Sequence, residues 1–390
     1  MVIEVCNKGR IKVAYVMTPI EFGGAEKVSL TFLKNLDRTL FDIHVVALAR
    51  PWEKCNYMIE ALGEAGYKVH TIPVAIKPRE RGTDPLRVLR CCLLIFLFLR
   101  GRPFDLIHTH GYFADIITTV SAKILGIPHL CTCHGFISSG RWLNVYNSID
   151  RVALRFADRI IAVSSSIKSD LVKSGIRAGN IAVIRNAVEM VSQEELKKIQ
   201  CERRGLLGIR SDEFVVGYLG RLSKEKGVQY LIEASALLCK EGENVRTLII
   251  GDGGEKKNLE DQARYYNIWD RVNFLGFEKE PGKWLPTLDA FVLPSLTEGT
   301  PMAMLEAMSC GLPVIASAVG GIPDIVQPMR NGILIPAGQP AEIAKSVSML
   351  QKDEALRRML GAKGKRTVEE KYNRKDWMKQ IEREYLKLVH

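Results

Sequence analysis

The chain has 390 residues, of which 47% are hydrophobic and 25% charged, a balance that argues against a disordered or low-complexity protein. This length exceeds the size at which a single hydrophobic core keeps growing, so we expect two domains. The formal net charge of +11 favours anionic partners, but no zinc-finger spacing or other nucleic-acid module occurs, which argues against nucleic acid as a partner.

The sequence shows neither an export signal nor a membrane span. Its first residues lack the basic start, apolar stretch and cleavage site of a signal peptide. The longest apolar run, residues 91–99, is about half as long as a bilayer-spanning helix requires. The nine cysteines show no Cys-x-x-Cys spacing, so we expect reduced, mostly buried thiols in a cytoplasmic protein.

In the first half of the chain, short apolar runs alternate with longer amphipathic stretches, which predicts βα units on a parallel sheet. The predicted strands are 11–16, 43–48, 68–72, 106–109, 129–133, 160–163 and 181–184. The predicted helices between them are 25–36, 57–65, 86–99, 114–125 and 166–174.

A polar, charge-rich stretch at residues 190–210 interrupts this alternation, and we interpret it as a linker at the start of the second domain. The sequence therefore predicts an α/β protein with a first domain at residues 1–189 and a second at 190–373. Ligands of open parallel sheets bind at the carboxyl ends of the strands, so two such domains predict an interdomain cleft. The predicted strands of the second domain are 214–219, 247–250, 272–275, 290–293, 314–317 and 332–335, and a helix-rich end follows from residue 341.

The first predicted strand is followed by a glycine pair, Gly23 and Gly24, and then by a helix. Glycines at such a turn let backbone N–H groups approach a phosphate at the positive end of a helix. The segment lacks the Gly-x-Gly-x-x-Gly spacing of dinucleotide-binding folds, which argues against a dehydrogenase. A plain tight turn explains the pair as well as a phosphate contact does.

The second domain opens with a similar strand and loop, which contains Gly220, Arg221 and Lys226. Arg221 offers a planar fork for two phosphate oxygens, and Lys226 offers a mobile positive charge. The pattern predicts a phosphate-binding loop, and two solvated surface cations are the alternative.

The most informative segment, residues 291–317, predicts a strand, a loop, a helix and another strand. Thr300 suits the N-cap of that helix, and Pro301 suits its first position. The N–H groups of Met302 and Ala303 would then be available to a diphosphate at the positive end of the helix.

Two glutamates flank this helix start. Glu298 precedes it, and Glu306 follows Pro301 by five residues, about 7.5 Å along a helix axis. A nucleotide sugar has parts that match these positions, because its sugar would meet Glu298 and its ribose diol Glu306. Its diphosphate would meet the helix end together with Arg221 and Lys226. Solvated surface charges are the alternative, but Glu306 lies among apolar residues, where an unpaired carboxylate is costly.

Three histidines follow or end predicted strands. His108 and His110 lie on one face of their strand and suggest a metal site, but no third ligand is evident, so structural or cleft-lining histidines are favoured. His134 follows the strand at residues 129–133 and either lines the site or belongs to the core.

With these motifs, the sequence resembles the retaining glycosyltransferases of family 4 over nearly its whole length. The resemblance implies the GT-B fold, in which two Rossmann-like domains face each other and the second holds most of the donor. It also implies that a C-terminal helix, residues 374–390, packs back on the first domain. The motifs that carry it are Glu298-x7-Glu306, Gly220-Arg221-Leu222…Lys226-Gly227, Gly23-Gly24-Ala25-Glu26 and His134-Gly135.

The resemblance assigns roles to the charged residues of the second domain. Arg221 and Lys226 would neutralise the leaving diphosphate. Glu306 would bind the ribose, and Glu298 would hold hydroxyls of the donor sugar.

It also assigns backbone and ring contacts. Gly24 would present its N–H group to phosphate, and His134 would contact the donor sugar near the reaction centre. The nucleotide base would lie near Gly251, Gly253 and Phe277. The family resemblance points to donor binding without a metal or other cofactor.

Two departures from the family pattern leave the donor open. Many members read Asn-Gly-Val-Asp where residues 186–189 read Asn-Ala-Val-Glu, and Thr300-Pro301 replaces a glycine often found at the helix start. The resemblance implies retaining transfer of a hexose or N-acetylhexosamine to a hydroxyl of a glycan or lipid-linked acceptor, in synthesis of cell-surface polysaccharide or glycolipid. A UDP-sugar is the favoured donor and GDP-mannose the second candidate. A sugar-nucleotide epimerase of the same fold and a non-catalytic nucleotide-sugar-binding protein are the alternative functions.

Basic residues surround the apolar run at residues 91–99. Such a surface predicts peripheral contact with an anionic membrane, where a lipid-linked acceptor would reside. A buried helix with charged ends explains the same residues. They are Lys77, Arg79, Arg81, Arg87, Arg90, Arg100 and Arg102.

Overall fold

A computed structural model of the chain describes residues 9–19, 24–49, 57–74, 85–135 and 141–389. The chain divides into two compact units, the first formed by Met1–Asn186 with Lys375–His390 and the second by Ala187–Arg374. The predicted domain boundary after residue 189 lies close to this division. Each unit is built on a parallel sheet, as the alternating pattern predicts.

The described residues of the first unit contain seven parallel strands. Their ends differ from the predicted ends by at most two residues. The strands are β1 (Ile11–Met17), β2 (Phe41–Ala49), β3 (Val69–Pro73), β4 (Leu106–His110), β5 (His129–Cys133), β6 (Arg159–Ala162) and β7 (Ile181–Val183). They lie in the sheet in the order β3-β2-β1-β4-β5-β6-β7.

Helices connect these strands, and local sequence signals mark where several of them end. The Ser164 hydroxyl accepts the Ile167 N–H at 3.2 Å and caps one helix, and Gly126 adopts a left-handed φ of 68° at the end of another. The helices are α1 (Gly24–Asn35), α2 (Tyr57–Glu64), α3 (Pro85–Arg100), α4 (Tyr112–Leu125), α5 (Arg141–Leu154) and α6 (Ser165–Lys173).

Strand β1 sends alternate side chains to opposite faces of its sheet. Ala14 and Val16 pack in a buried cluster with Cys91 and Ile95 of α3. Tyr15 lies on the other face and stacks on Phe32 of α1, with ring centroids 5.7 Å apart. Both faces of the strand are therefore buried, which explains its nearly continuous apolar run.

The apolar run at residues 91–99 is divided between two faces of α3. Cys91, Ile95 and Leu99 are buried, whereas Leu93 and Leu97 are exposed. Within the described ranges, every helix falls short of the length and apolarity needed to cross a bilayer. Three of the predicted basic residues, Lys77, Arg79 and Arg81, lie outside the described residues.

The second unit repeats the same architecture with six parallel strands among its residues. The strands are β8 (Phe214–Leu219), β9 (Val245–Ile250), β10 (Val272–Gly276), β11 (Ala290–Leu293), β12 (Val314–Ser317) and β13 (Ile333–Ile335), in the order β10-β9-β8-β11-β12-β13. Three of the six match their predicted bounds at both ends. The helices are α7 (Gln193–Leu206), α8 (Val228–Lys240), α9 (Lys256–Tyr265), α10 (Met302–Ser309), α11 (Pro340–Lys352) and α12 (Glu354–Lys371).

The interpretation of residues 190–210 as a linker is wrong for most of the stretch, because α7 occupies it. The Ser192 hydroxyl accepts the Glu195 N–H and caps this helix. Arg204 pairs with Asp289 at 2.6 Å, and Arg203 lies over the Trp284 ring. The charged side chains that suggested a linker thus attach α7 to the second unit.

The last helix, α13 (Arg374–Val389), contributes its side chains to the first unit. Tyr385 is fully buried there, and its hydroxyl lies 2.7 Å from His108 Nδ1. Glu384 pairs with Arg159 of β6 at 2.5 Å. The chain therefore returns to its first unit after building the second.

The described cysteines are all free thiols, and Cys6 and Cys55 lie outside the described residues. Cys91, Cys131 and Cys133 are buried as expected, whereas Cys201 is exposed on α7.

Both sheets reverse their strand order at one point, between β1 and β4 in the first unit and between β8 and β11 in the second. Ligands of open parallel sheets bind at the carboxyl ends of the strands beside such a reversal. The predicted site residues follow these strands. His110 ends β4, Arg221 follows β8, and Glu298 follows β11.

Candidate functional site

The loops that follow β8 and β9 are joined by backbone hydrogen bonds. The Leu222 N–H donates to the Asp252 carbonyl at 2.9 Å, and the Glu255 N–H donates to the Leu222 carbonyl at 3.0 Å. These bonds hold the predicted phosphate-binding loop in a fixed position beside its neighbour.

Glycine is required at two positions of this contact. A Cβ atom at Gly251 would lie 1.9 Å from the Gly220 carbonyl oxygen, and one at Gly253 would lie 2.3 Å from the Leu222 carbonyl oxygen. Both glycines also have positive φ, 141° and 157°. The predicted donor-binding glycines Gly220, Gly251 and Gly253 therefore lie together, and Gly251 and Gly253 allow the close approach of the two loops.

The loop after β8 carries the two predicted cations. Arg221 is exposed, and its backbone carbonyl accepts the Tyr218 hydroxyl at 2.9 Å. Lys226 ends a short 3-10 helix, Lys224–Lys226, which Gly227 terminates in a left-handed conformation at φ 65°. The two cations differ in exposure to solvent, since Arg221 is exposed and Lys226 is half-buried.

Lys226 and Glu298 form an ion pair at the carboxyl edge of the second sheet. Lys226 Nζ lies 2.7 Å from Glu298 Oε1, and the Ser295 hydroxyl donates to the same oxygen at 2.8 Å. Only 7% of the Glu298 side chain is exposed, against 26% for Lys226. This burial contradicts the alternative of solvated surface charges for the pair, because a buried carboxylate needs a partner.

The loop after β12 closes on the backbone beside Glu298. A Cβ atom at Gly320 would lie 1.8 Å from the Glu298 carbonyl oxygen, and one at Gly321 would lie 2.5 Å from the Gly299 carbonyl oxygen. The conformation of the Glu298 segment is thus fixed from the β12 side as well.

The predicted start of the following helix is wrong by one residue. Thr300 is not its N-cap, and its buried hydroxyl makes no hydrogen bond within the described part of the chain. Pro301 takes the N-cap position, because its carbonyl accepts the Met304 and Leu305 N–H groups. Helix α10 begins at Met302, so the N–H groups of Met302 and Ala303 precede the first helical hydrogen bonds.

Glu306 lies on α10, about 6 Å along the axis from Met302. It is half-buried between Leu305 and Ala307, which are fully buried. Phe277 follows β10, two strands away from β8, and 57% of it is exposed. The ion pair joins Lys226 to Glu298 directly, whereas Glu306 and Phe277 lie on neighbouring elements of the same edge.

In the first unit, His134 belongs to a chain of hydrogen-bonding side chains. His134 Nε2 lies 2.6 Å from His110 Nε2, and His110 Nδ1 lies 3.1 Å from the Tyr15 hydroxyl. The Tyr15 hydroxyl in turn donates to Ser29 Oγ at 3.0 Å. Burial lowers the pKa of His134 to about 4, so the ring is neutral at pH 7.

A metal site at His108 and His110 is disfavoured, because His108 uses both ring nitrogens. They lie 2.7 Å from the Tyr385 and Thr132 hydroxyls. Within the described residues, the cluster with metal-ligating geometry is Asp115, His129 and Cys131. It includes neither His108 nor His110. The Thr109 hydroxyl lies within hydrogen-bond distance of all three of its side chains.

The two glycines of the first predicted loop are only partly described. Gly24 is the first residue of α1, at the end of the loop that follows β1. Gly23 lies outside the described residues.

Two further residues, Ser295 and Tyr15, were not predicted from the sequence. Ser295 follows β11 and orients Glu298, and its position at the end of a strand was an available signal. Tyr15 lies in the middle of an apolar strand, where only the cost of burying a hydroxyl indicates that it must have a partner.

Two family models match the chain. The model described as Glycosyltransferase Family 4 matches residues 22–191, and the model described as Glycosyl transferases group 1 matches residues 202–367. Together they span most of both units.

Curated relatives and a solved structure agree with these models. The chain is 28% identical to the capsular polysaccharide biosynthesis glycosyltransferase CapM of Staphylococcus aureus over 305 residues, which cover 75% of this chain and 79% of that protein. It is 26% identical to the UDP-Gal:alpha-D-GlcNAc-diphosphoundecaprenol alpha-1,3-galactosyltransferase of Escherichia coli, with 84% of each chain covered. The structure of Anabaena HepE in complex with UDP matches with a TM-score of 0.79 and 23% identity, over 96% of this chain and 99% of that one.

The last similarity concerns the fold, and the family models and relatives concern the family. The family models, the relatives and the two Rossmann-like units together identify the chain as an enzyme of glycosyltransferase family 4 with the GT-B fold.

Proposed function

We propose that the enzyme transfers a hexose or N-acetylhexosamine, with retention of configuration, from a nucleoside-diphosphate sugar to a hydroxyl of a glycan or lipid-linked acceptor. The observation that carries the proposal is the Lys226–Glu298 ion pair beside the reversal of strand order in the second sheet. It joins a cation suited to phosphate and a carboxylate suited to sugar hydroxyls.

The start of α10 supports binding of a diphosphate. The N–H groups of Met302 and Ala303 lie at the positive end of the helix, where anions are stabilised. Lys226 and the exposed Arg221 add two cations on the adjacent loop. Charge on the leaving diphosphate grows in the transition state, so these groups stabilise that state more than the bound donor.

The carboxylates suit the two polyhydroxyl ends of the donor. Glu298 is held by Lys226 and Ser295 through one oxygen, Oε1, and its second oxygen is the proposed acceptor for sugar hydroxyls. Glu306, farther along α10, is the proposed acceptor for the ribose diol.

For the chemical step, we propose an oxocarbenium-like transition state. The bond between the anomeric carbon and the phosphate oxygen breaks as the acceptor oxygen attacks the same face. The leaving phosphate takes the acceptor hydroxyl proton, so neither a metal nor a protein base is required. His134 is neutral at pH 7, and we propose that it forms a hydrogen bond to the donor sugar.

A UDP-sugar is the favoured donor, and GDP-mannose is the second candidate. The Escherichia coli relative is named for transfer from UDP-Gal to a diphosphoundecaprenol-linked sugar, which supports both a UDP-sugar donor and a lipid-linked acceptor. CapM is named for capsular polysaccharide biosynthesis, which supports a role in cell-surface polysaccharide or glycolipid synthesis.

Product analysis tests the proposal. The enzyme is incubated with UDP-, GDP- and ADP-sugars and candidate acceptors, and the nucleotide and sugar products are separated. We expect a free nucleoside diphosphate and a new glycoside of retained configuration, with or without EDTA. An isomerised donor would indicate an epimerase, and an intact donor with every combination would contradict the proposed transfer.

A further inference from the structure

Large apolar side chains are exposed on three neighbouring helices of the first unit. Ten of the twenty exposed large hydrophobic side chains among the described residues lie on or just after α3, α4 and α5, so the exposure is concentrated rather than scattered. They are Leu86, Leu89, Leu93, Leu97, Val120, Ile124, Val145, Ile149, Val152 and Phe156.

On α3 the exposed leucines form one stripe. Leu86, Leu89, Leu93 and Leu97 follow at steps of three or four residues, which places them on one side of the helix. Their exposed fractions are 75%, 67%, 55% and 53%. The opposite side of α3 is buried in the core, and this second apolar stripe lies outside that core cluster.

The stripe continues across the adjacent helices. Helix α4 packs against both α3 and α5, and it exposes Val120 and Ile124. On α5, Val145, Ile149 and Val152 repeat the same helical spacing. We call these ten side chains, together with the arginines of α3, the α3–α5 surface. Contiguous apolar patches of this kind on a protein surface mark contact with a partner.

The charges of the three helices are one-sided. Their acidic residues are Asp115 and Asp150, and both are buried. Arg100 is exposed at the end of the leucine stripe, and Arg87 and Arg90 are half-buried beside it. The described part of the α3–α5 surface therefore combines apolar and cationic groups without an exposed carboxylate.

We propose that the α3–α5 surface docks on an anionic lipid bilayer, with its apolar side chains among the lipid chains and its arginines at the phosphates. A lipid interface offers both an apolar layer and negative charge. The net positive charge of the three helices favours such an anionic partner over a second copy of the chain, because a twofold interface would bring together two surfaces of the same sign of charge. The surface shares three arginines with the basic cluster that the sequence predicts, and it adds the exposed leucines opposite the buried face of α3.

Vesicle flotation of the full-length protein tests this inference. The probes are phosphatidylcholine vesicles with and without phosphatidylglycerol, and no donor or acceptor is added. We expect binding to the anionic vesicles and a loss of about tenfold or more in partitioning for Leu89→Asp and for Leu93→Asp. Arg100→Gln is expected to weaken binding to anionic vesicles only.

Leu206→Asp is the matched control, because Leu206 lies in the second unit and is 67% exposed, as Leu89 is. It is expected to bind vesicles as the unaltered protein does. Absence of binding by the unaltered protein, or equal loss with Leu206→Asp, would overturn the inference. A dimer that Leu89→Asp converts to a monomer, with unchanged flotation, would identify the surface as a self-association interface instead. Because the assay needs no turnover, its outcome is independent of the proposed transfer reaction.

Discussion

Glu298 receives two hydrogen bonds on a single oxygen, from Lys226 and from Ser295. A side chain with 7% exposure cannot rely on water to solvate its charge, so the two donors also fix its orientation. Preorganised polar groups of this kind are the ones that enzymes direct at a developing charge. The sequence places Lys226 and Glu298 around one donor molecule, and the fold adds that the two side chains form an ion pair at 2.7 Å.

The Tyr15 hydroxyl is expected to matter for turnover through His134. Since Tyr15 donates to Ser29, His110 Nδ1–H donates to Tyr15, and His110 Nε2 accepts from His134 Nε2–H. This direction leaves His134 Nδ1 as an acceptor. Tyr15→Phe removes the hydroxyl alone, and we expect kcat to fall by about tenfold with little change in the KM for donor.

Steady-state kinetics of donor consumption measures this effect. Tyr67→Phe is the matched control, because it removes another buried hydroxyl of the first unit, one that donates to the Leu33 carbonyl instead. Equal loss of kcat in both variants would mean that Tyr15 acts only through stability.

At the scale of elements, the contact between the loops after β8 and β9 depends on glycine. Gly251→Ala would place a Cβ atom 1.9 Å from the Gly220 carbonyl oxygen and strain a φ of 141°. We expect a loss of about 1–3 kcal/mol in the free energy of unfolding and a clear loss of donor turnover. Gly254→Ala, three residues away, meets open space and should leave both unchanged.

Thermal unfolding and donor turnover, measured on both variants, test this prediction. Unchanged values for Gly251→Ala would show that the loops are not fixed against each other as described.

A second prediction concerns the packing of α5 against α4. Burial, together with the nearby Asp115, raises the pKa of Asp150 from 3.8 to about 9. The folded state thus keeps a proton that the unfolded chain releases, so this contribution to stability is full below pH 3.8 and is lost as pH rises through 9. Asp150→Asn keeps a neutral group of the same shape. We expect the Tm of both proteins to fall between about pH 6 and pH 9, and the fall to be smaller in Asp150→Asn by about 3 °C or more.

Differential scanning calorimetry at the two pH values provides the measurement. Burial also lowers the pKa of His129 and His134 to about 4, but their contribution is full above pH 6.5 and is lost only as pH falls toward 4. They therefore do not affect the alkaline range. Parallel pH dependence in Asp150→Asn and the unaltered protein would contradict the prediction.

The elements themselves were largely predictable from local patterns. Parallel strands buried on both faces read as apolar runs, so β5, β8 and β12 match their predicted bounds. Helix α7 was not predicted because most of its side chains are polar or charged. Such a helix has the composition of a linker, and the surface on which it packs is not evident from the sequence. The N-cap of α10 was misplaced because Thr300 suits a cap locally, whereas its hydroxyl is buried away from the helix N–H groups.

At the scale of the whole molecule, the chain end completes the first unit. Tyr385 is fully buried against Phe32 and Phe41 and bonds to His108, which is 277 residues away in sequence. Tyr385→Ala should lower the stability of the first unit by about 3–5 kcal/mol, because it leaves a cavity and an unpaired histidine nitrogen. Tyr385→Phe keeps the ring and should cost only about 1 kcal/mol.

Hydrogen exchange of the backbone amides of β4 and α13, followed peptide by peptide, measures the stability of the first unit separately from that of the second. Equal stability of Tyr385→Ala and the unaltered protein would show that α13 does not complete the core of this unit.

Contacts between residues far apart in the sequence, such as that between Tyr385 and His108, could not be predicted from the sequence. The alternation of strands and helices indicates two parallel sheets, because it reflects local burial. The partners of His108 and His134 depend on how distant strands lie side by side, and one chain without its fold does not indicate them. The site was therefore predictable in its charged residues and not in the hydroxyls and rings that orient them.

The most direct test of the account is donor turnover in Lys226→Ala and Arg221→Ala, with Lys224→Ala as control. Lys224 lies on the same short 3-10 helix and is exposed, so its loss changes the net charge equally without removing the partner of Glu298. We expect release of nucleoside diphosphate to fall by about 100-fold or more in the first two variants and to stay near its full rate in the third. Near-normal release from both Lys226→Ala and Arg221→Ala would contradict it.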